Sequence, residues 1–296
     1  MKIIAIINQK GGTGKTTTSL NVGAAIARHG KKVLLVDADA QGNLTTSAGL
    51  QVAETDVTLY EVLKGSAPIG AAVRRVHDAY DLVPTDIRLS AADMELAGVP
   101  GREFLLQEAL SPLRDRYDYV VIDCPPSLSI IPLMALAAAS DVIIPVQAQY
   151  LPLNGLSQLL DTIDLVRRRI NRELKIGGVI LTMYDGRKNL ASEVMASVKQ
   201  KFPDELFATT IPENVALAEA PAAGQDIFAY APNSKGAAAR EPRRPLCISA
   251  KVDTPNTDKG IEGEKYRGGS ATESGGRWKP RAGDCGKNTP ELQTER

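Results

Sequence analysis

The chain has 296 residues, a formal net charge of zero and only 4% aromatic residues. That length holds one large α/β domain with a sizeable core, or two small domains. The neutral balance points to no partner through bulk charge, and so few aromatics argue against a stacking platform for single-stranded nucleic acid. Cys124, Cys247 and Cys285 share no metal-ligand spacing, which suggests a reducing compartment without a disulfide framework. The start reads as a strand and not as a secretory leader, and apolar stretches such as residues 134–139 are too short to span a bilayer. A cytoplasmic protein with no membrane attachment is expected.

In chain order, the apolar run 3–7 predicts a first strand. A glycine-rich segment follows, then a helical pattern over residues 17–28, with His29 placed to favour the end of the helix dipole and Gly30 as its stop. Short β-branched runs recur at 33–36, 119–122, 142–146 and 179–182. Between them lie helical patterns such as Leu156, Leu159, Leu160, Ile163 and Val166, with charges on the opposite face. Near-continuous apolar strands alternating with amphipathic helices predict an α/β fold with a doubly wound, mostly parallel sheet flanked by helices on both sides. The composition changes near residue 237. The last 60 residues contain 13 Gly or Pro, and 12 Lys+Arg against nine Asp+Glu. No period of 2 or 3.6 survives there. A folded domain over 1–237 and a disordered tail over 238–296 are expected, because such a tail cannot bury enough apolar surface to offset chain entropy.

The segment Lys10-Gly11-Gly12-Thr13-Gly14-Lys15-Thr16 stands between strand and helix, the context that a phosphate-binding loop requires. Bare amides in such a loop face an anion, and the helix N-terminus adds partial positive charge. Lys15 is placed to reach the β/γ-phosphates and the Thr16 hydroxyl to ligate Mg²⁺. The usual first glycine is replaced by Gln9. Lys10 is an additional lysine that packing does not explain; its amine either points to solvent or reaches a phosphate, in this subunit or a neighbour. The second strand runs into Asp37-Ala38-Asp39-Ala40-Gln41-Gly42-Asn43. Carboxylates at that end of a strand sit where ligands bind in open α/β sheets. Asp37 suits the outer shell of a metal, and Asp39 the positioning of an attacking water. A third strand ends in Asp123, the arrangement in which a carboxylate holds Mg²⁺ directly or through water. Pro125 and Pro126 stop that strand, and Cys124 reads as a small apolar residue.

Together these pieces resemble the ParA/Soj branch of the deviant Walker ATPases, over residues 1–237. The motifs carrying the resemblance are Asn8-Gln9-Lys10-Gly11-Gly12-Thr13-Gly14-Lys15-Thr16-Thr17-Thr18, the Asp37 to Asn43 run, Val121-Ile122-Asp123-Cys124-Pro125-Pro126-Ser127, and Leu181-Thr182-Met183-Tyr184-Asp185-Gly186-Arg187. The resemblance implies a Mg²⁺-dependent ATPase that dimerises on ATP, binds double-stranded DNA without sequence preference, associates with the nucleoid, and is stimulated by a ParB-type centromere-binding partner. It also implies that Lys10 acts across the dimer, that Gly11, Gly12, Thr13, Gly14, Lys15, Thr16 and Thr17 cradle the phosphates, and that Pro212 and Asn214 contact the adenine side. The start at the phosphate loop is similar to the short, chromosomal-type members.

Two departures stand out. Glu213 and Ala216 occupy positions where many relatives carry arginines that bind DNA, which leaves Arg187, Lys188 and Arg167-Arg168-Arg169 as candidate phosphate contacts. Beyond residue 237, Pro242 and Pro245 exclude a regular helix where the family continues helical. A shifted reading frame or recombined end is the expected cause, and translating the encoding DNA in its other frames tests it. The rivals fit the residues less well. A MinD-type positioning ATPase needs a C-terminal amphipathic helix, and an iron–sulfur ATPase needs paired cysteines. A small-molecule kinase needs an acceptor pocket; a non-hydrolysing, nucleotide-gated scaffold runs against the presence of all the hydrolytic residues, unless the altered end disables the protein.

Overall fold

The structure is a computed structural model that describes residues 1–127, 129–149 and 153–238, all within the compact unit Met1–Pro255. The tail expected to be disordered lies, apart from Ala238, outside the described residues. Seven strands form one sheet: β1 (Lys2–Ile6), β2 (Val33–Asp37), β3 (Arg74–Val76), β4 (Tyr80–Val83), β5 (Tyr119–Asp123), β6 (Asp141–Gln147) and β7 (Lys175–Thr182). Their order is β3-β4-β2-β5-β1-β6-β7. Only β3 runs antiparallel to its neighbour.

Alternating side chains serve opposite faces of each strand, and both faces are covered. Ile4, Ile6, Leu35, Val121 and Ile143 pack on one face with Leu20 and Ala24 of α1 (Lys15–Arg28). Ala5, Leu34, Val36, Val120, Ile122 and Ile144 pack on the other. There they meet Ile131 and Met134 of the helix Ile130–Ala138, and Leu159, Ile163 and Val166 of the helix Leu153–Arg169. This two-sided burial is why the strands read as unbroken apolar runs. Each fully buried Leu or Ile contributes roughly 1.5–3 kcal/mol of hydrophobic stabilisation. The charges of Arg167, Arg168 and Arg169 fall on the exposed side of their helix.

The elements depart from expectation at three places. α1 begins at Lys15, two residues ahead of the helical pattern, and β7 begins at Lys175, four residues early. The β3–β4 hairpin was absent from the expected elements. Its turn carries His77 and Asp78 at φ 43° and 54°, left-handed values reached without glycine. At the end of α1, His29 Nδ1 lies 2.8 Å from the Ala25 carbonyl and Gly30 takes φ 77°, the left-handed stop that its position called for.

Parallel register decides what meets at the C-terminal edge of the sheet. β1 and β2 both pair with β5, so Ile6, Asp37 and Asp123 end abreast. The loops leaving these strands are the three that carry the motifs.

Candidate nucleotide-binding and hydrolysis site

The chain leaves β1 through a loop in which Gly12 and Gly14 take φ 72° and 80°, a backbone that a side chain would strain. A Cβ at Gly11 or Gly12 would meet nothing within 4 Å, so this stretch of loop faces open space. α1 then starts with Gly14 as its cap and neither a capping side chain nor an acidic residue in the first turn. Its leading amides are therefore left for an anion. The loop is anchored from three sides. Asn8 Nδ2 donates to the Pro145 carbonyl at 2.6 Å and Asn8 Oδ1 accepts from the Lys10 amide at 3.0 Å. Thr182 Oγ1, at the end of β7, donates to the Thr13 carbonyl at 2.9 Å.

Lys15 is 7% exposed and its Nζ donates to the Lys10 carbonyl at 3.2 Å. Burial lowers its pKa, against the charges of Asp123, Asp39 and Cys124, in that order. Lys10 is half-buried and its side chain has a partner within its own subunit. Its Nζ donates to Gln147 Oε1 at 3.2 Å.

The carboxylates divide into two roles. Asp37 is fully buried. Its Oδ2 accepts from the Thr45 amide at 2.8 Å and the Thr45 hydroxyl at 2.7 Å, both from α2 (Asn43–Ser47), and its Oδ1 accepts from the Asp39 amide at 3.3 Å. Burial, then the Asp123 charge, push its pKa up to about 8 against those hydrogen bonds. Both oxygens of Asp37 thus hold the loop that presents Asp39. The Asp39 carboxylate keeps the loop turned by accepting from the Gln41 amide at 3.1 Å, and its charge acts on Lys15. Asp123 Oδ1 accepts from Ser19 Oγ of α1 at 2.8 Å. Its Oδ2 is buried without a hydrogen-bond partner among the described residues. Burial raises Asp123 to about 6, opposed by hydrogen bonds from Thr16 and Ser19 and by the Lys15 charge.

A buried carboxylate oxygen with no partner, beside the Thr16 hydroxyl and an open glycine loop, fits a divalent cation accompanied by phosphate. Among the described residues no cluster of three or more His, Cys, Asp or Glu side chains forms a closed metal cage. An ion here takes few protein ligands and completes its shell from phosphate oxygens and water, the habit of Mg²⁺. Cys124 is buried and its thiol is pushed well above the usual range, consistent with a packing role.

The segment expected to border the base packs beside β7. The Ile211 amide donates to the Leu181 carbonyl at 2.8 Å and the Tyr184 amide to the Ile211 carbonyl at 3.0 Å, so residues 211–212 lie beside the strand whose Thr182 holds the loop. Pro212 makes a bridge with Tyr184. Asn214 caps the helix Val215–Glu219, its side chain accepting from the Leu217 amide at 3.3 Å. Three of the five candidate DNA-contacting cations are tied to acids. Arg187 clasps Asp185 with two bonds of 2.9 Å, Lys188 pairs with Glu213 at 3.5 Å, and Arg167 with Asp164 at 3.5 Å. Ser19, Thr45 and Gln147 escaped the sequence reading, and Thr182 was read only as part of a motif, without a role. Only the three-dimensional partner of each marks it.

This is P-loop architecture, in the variant that carries a second lysine ahead of the first. Residues 1–176 match the family model described as an AAA domain. The chain is similar to the sporulation initiation inhibitor protein Soj of Bacillus subtilis (strain 168), with 47% identity over 237 residues, 80% of this chain and 94% of that protein. It is also similar to the chromosome partitioning protein ParA of Caulobacter vibrioides (strain NA1000 / CB15N), with 43% identity over 78% of this chain and 87% of that protein. A solved structure with the same fold is that of cobyrinic acid a,c-diamide synthase from Mycobacterium smegmatis with bound ATP analog and magnesium. It shows 38% identity and a TM-score of 0.72, covering 81% of this chain and 91% of that one. The chain belongs to the ParA/Soj family of partition ATPases.

Proposed function

We propose that this protein binds Mg²⁺–ATP at the loop of residues 10–17, dimerises on it, and hydrolyses it to ADP and phosphate as a switch in plasmid or chromosome partitioning. The observation that carries the reading is the convergence of Lys15, Asp39 and Asp123 at one edge of the sheet, below a glycine loop open to solvent. Lys15 leaves the Lys10 carbonyl for the β/γ-phosphates and stabilises the charge that develops there. Asp39 orients the attacking water and accepts its proton. Thr16 would hold Mg²⁺ with Asp123 behind it, and the ion supplies charge neutralisation on the phosphates. Asp37 acts through Asp39 and Thr45, a better match to its bonding than a place in the metal's outer shell. Pro212 and Asn214 border the base.

Lys10, delivered to the triphosphate of a second copy, makes assembly depend on nucleotide: each subunit's lysine offsets charge on the other's ligand. Non-specific duplex DNA and a ParB-type protein are the partners in this reading, with the protein cytoplasmic and nucleoid-associated. The acid partners of Arg187, Lys188 and Arg167 make weak DNA binding with a shallow salt slope the expected behaviour. Among the described residues no helix is long and apolar enough to cross a membrane.

The deciding experiment is steady-state ATP hydrolysis with and without duplex DNA at low salt, beside Lys15→Ala. Slow hydrolysis that needs Lys15 and rises with DNA supports the whole reading. Hydrolysis indifferent to DNA keeps the ATPase and removes the DNA partner. No hydrolysis above the Lys15→Ala control overturns the enzymatic reading.

A further inference from the structure

Lys10 is held by a built contact. Its Nζ donates to Gln147 Oε1 at 3.2 Å. Gln147 is half-buried at the last position of β6, in register with Thr182 of β7. The orientation of its amide is dictated from the other side: Nε2 donates to Met183 Sδ and to Gln149 Oε1, each at 3.1 Å. Turning the amide over would give up both acceptors and set an NH₂ group against an ammonium, so Oε1 faces the lysine. The backbone of residue 10 is fixed as well, by Asn8 at its amide and by Lys15 at its carbonyl.

The residues behind Gln147 reach both ends of the nucleotide site. Thr182 bonds the phosphate loop at Thr13, and Tyr184 bonds the base-side segment at Ile211. Met183 between them holds φ 52°, a left-handed conformation rare for a residue with a Cβ. A change at either end of the site therefore acts on the residue that orients Gln147. Lys15, on leaving for a phosphate, also leaves the Lys10 carbonyl with only the longer bond from Thr13 Oγ1, at 3.4 Å.

We propose that Gln147 is a positioning residue that holds Lys10 within its own subunit while the site lacks nucleotide. Nucleotide frees the lysine by taking Lys15 from the Lys10 carbonyl and by shifting residues 182–184. The consequence for dimerisation rests on the reading that Lys10 acts across two copies; the hold itself does not.

Two measurements separate these. Nucleotide-free full-length protein is treated with N-hydroxysulfosuccinimide acetate, and the acetylation rate of Lys10 is followed by mass spectrometry with exposed Lys188 as internal reference. Gln147→Ala should raise the Lys10 rate about fivefold, the size expected for one charged hydrogen bond at a half-exposed site. Gln147→Glu, which replaces the bond by an ion pair, should lower it below wild type. Equal rates in all three proteins overturn the hold. Sedimentation with saturating Mg²⁺–ATP then gives the protein concentration at half-dimerisation, expected about fivefold lower for Gln147→Ala and higher for Gln147→Glu. Changed Lys10 reactivity with an unchanged midpoint, in a protein that does dimerise, overturns the proposed link to assembly. If wild type stays monomeric with ATP, the cross-subunit reading of Lys10 fails, and acetylation alone decides the hold.

Discussion

The two edges of the sheet treat buried acids in opposite ways. At the N-terminal edge the buried carboxylates of Asp81 and Asp141 each have a cation among the described residues. Asp81 of β4 accepts from Tyr117 at 2.5 Å and pairs with Arg75 at 3.1 Å and Arg116 at 3.4 Å. Asp141 at the start of β6 pairs with Lys2 at 3.3 Å. At the C-terminal edge, Asp37 and Asp123 stand in register, fully buried, with hydroxyls and amides as their bonded partners. Lys15 gives its hydrogen bond to a carbonyl. One edge is electrostatically complete without a ligand. At the other, burial holds the carboxyl groups of Asp37 and Asp123 above their usual range with no ion pair among the described residues to offset it, the condition under which a bound cation gains most.

The comparison can be broken or sharpened by substitution. The largest effect is expected from Asp39→Asn, which keeps the loop hydrogen bond but cannot take a proton. ATP turnover should fall about 10²- to 10³-fold with little change in nucleotide affinity, and comparing kcat with a direct titration of ATP checks it. Asp81→Asn should destabilise the protein by about 1 kcal/mol, because it takes the charge partner from two arginines that stay more than half exposed to water, while turnover per folded molecule stays unchanged; urea unfolding measures the loss. Asp123→Asn should do the reverse. The nucleotide-free protein should lose no stability, or gain up to about 1 kcal/mol, since a buried, poorly compensated charge is removed, while the rise in melting temperature on adding Mg²⁺–ATP should shrink. If Asp123→Asn destabilises as much as Asp81→Asn, the contrast between the edges is wrong. Thr182→Val should have the smallest effect, weakening ATP binding by a factor of about five through loss of the single bond to the Thr13 carbonyl, as calorimetry would register.

Much of this was legible in the chain because the physics was local. Residues 3–7 and 119–122 are apolar on both faces, which only a covered parallel sheet uses, and the glycines of the loop announce a backbone that needs them. Asp123 could be placed at the sheet edge because it ends an apolar strand, and Asp39 because it lies two residues beyond the end of another. The β3–β4 hairpin was hidden because β3 is the three residues Arg74-Arg75-Val76 and its turn uses His77 and Asp78 where Asn-Gly would signal. The bond from Thr45 to Asp37 was hidden because Thr45 lies in a short helix that carries no signature. The resting place of Lys10 depends on a glutamine 137 residues away, a distance over which no local pattern reports.

The position of β1 also sets a clock for synthesis. β1 is made first, yet its partners are β5 and β6, and β2 likewise pairs with β5. At about 5–20 residues per second the ribosome needs roughly 6–24 seconds to go from β1 to β5. Throughout that interval the apolar strand Lys2–Ile6 has no sheet to enter, and the glycine loop behind it has no frame to close upon. The nascent chain is therefore a natural client for chaperones that cover extended apolar segments, and it acquires the capacity to bind nucleotide only after the central strands have emerged.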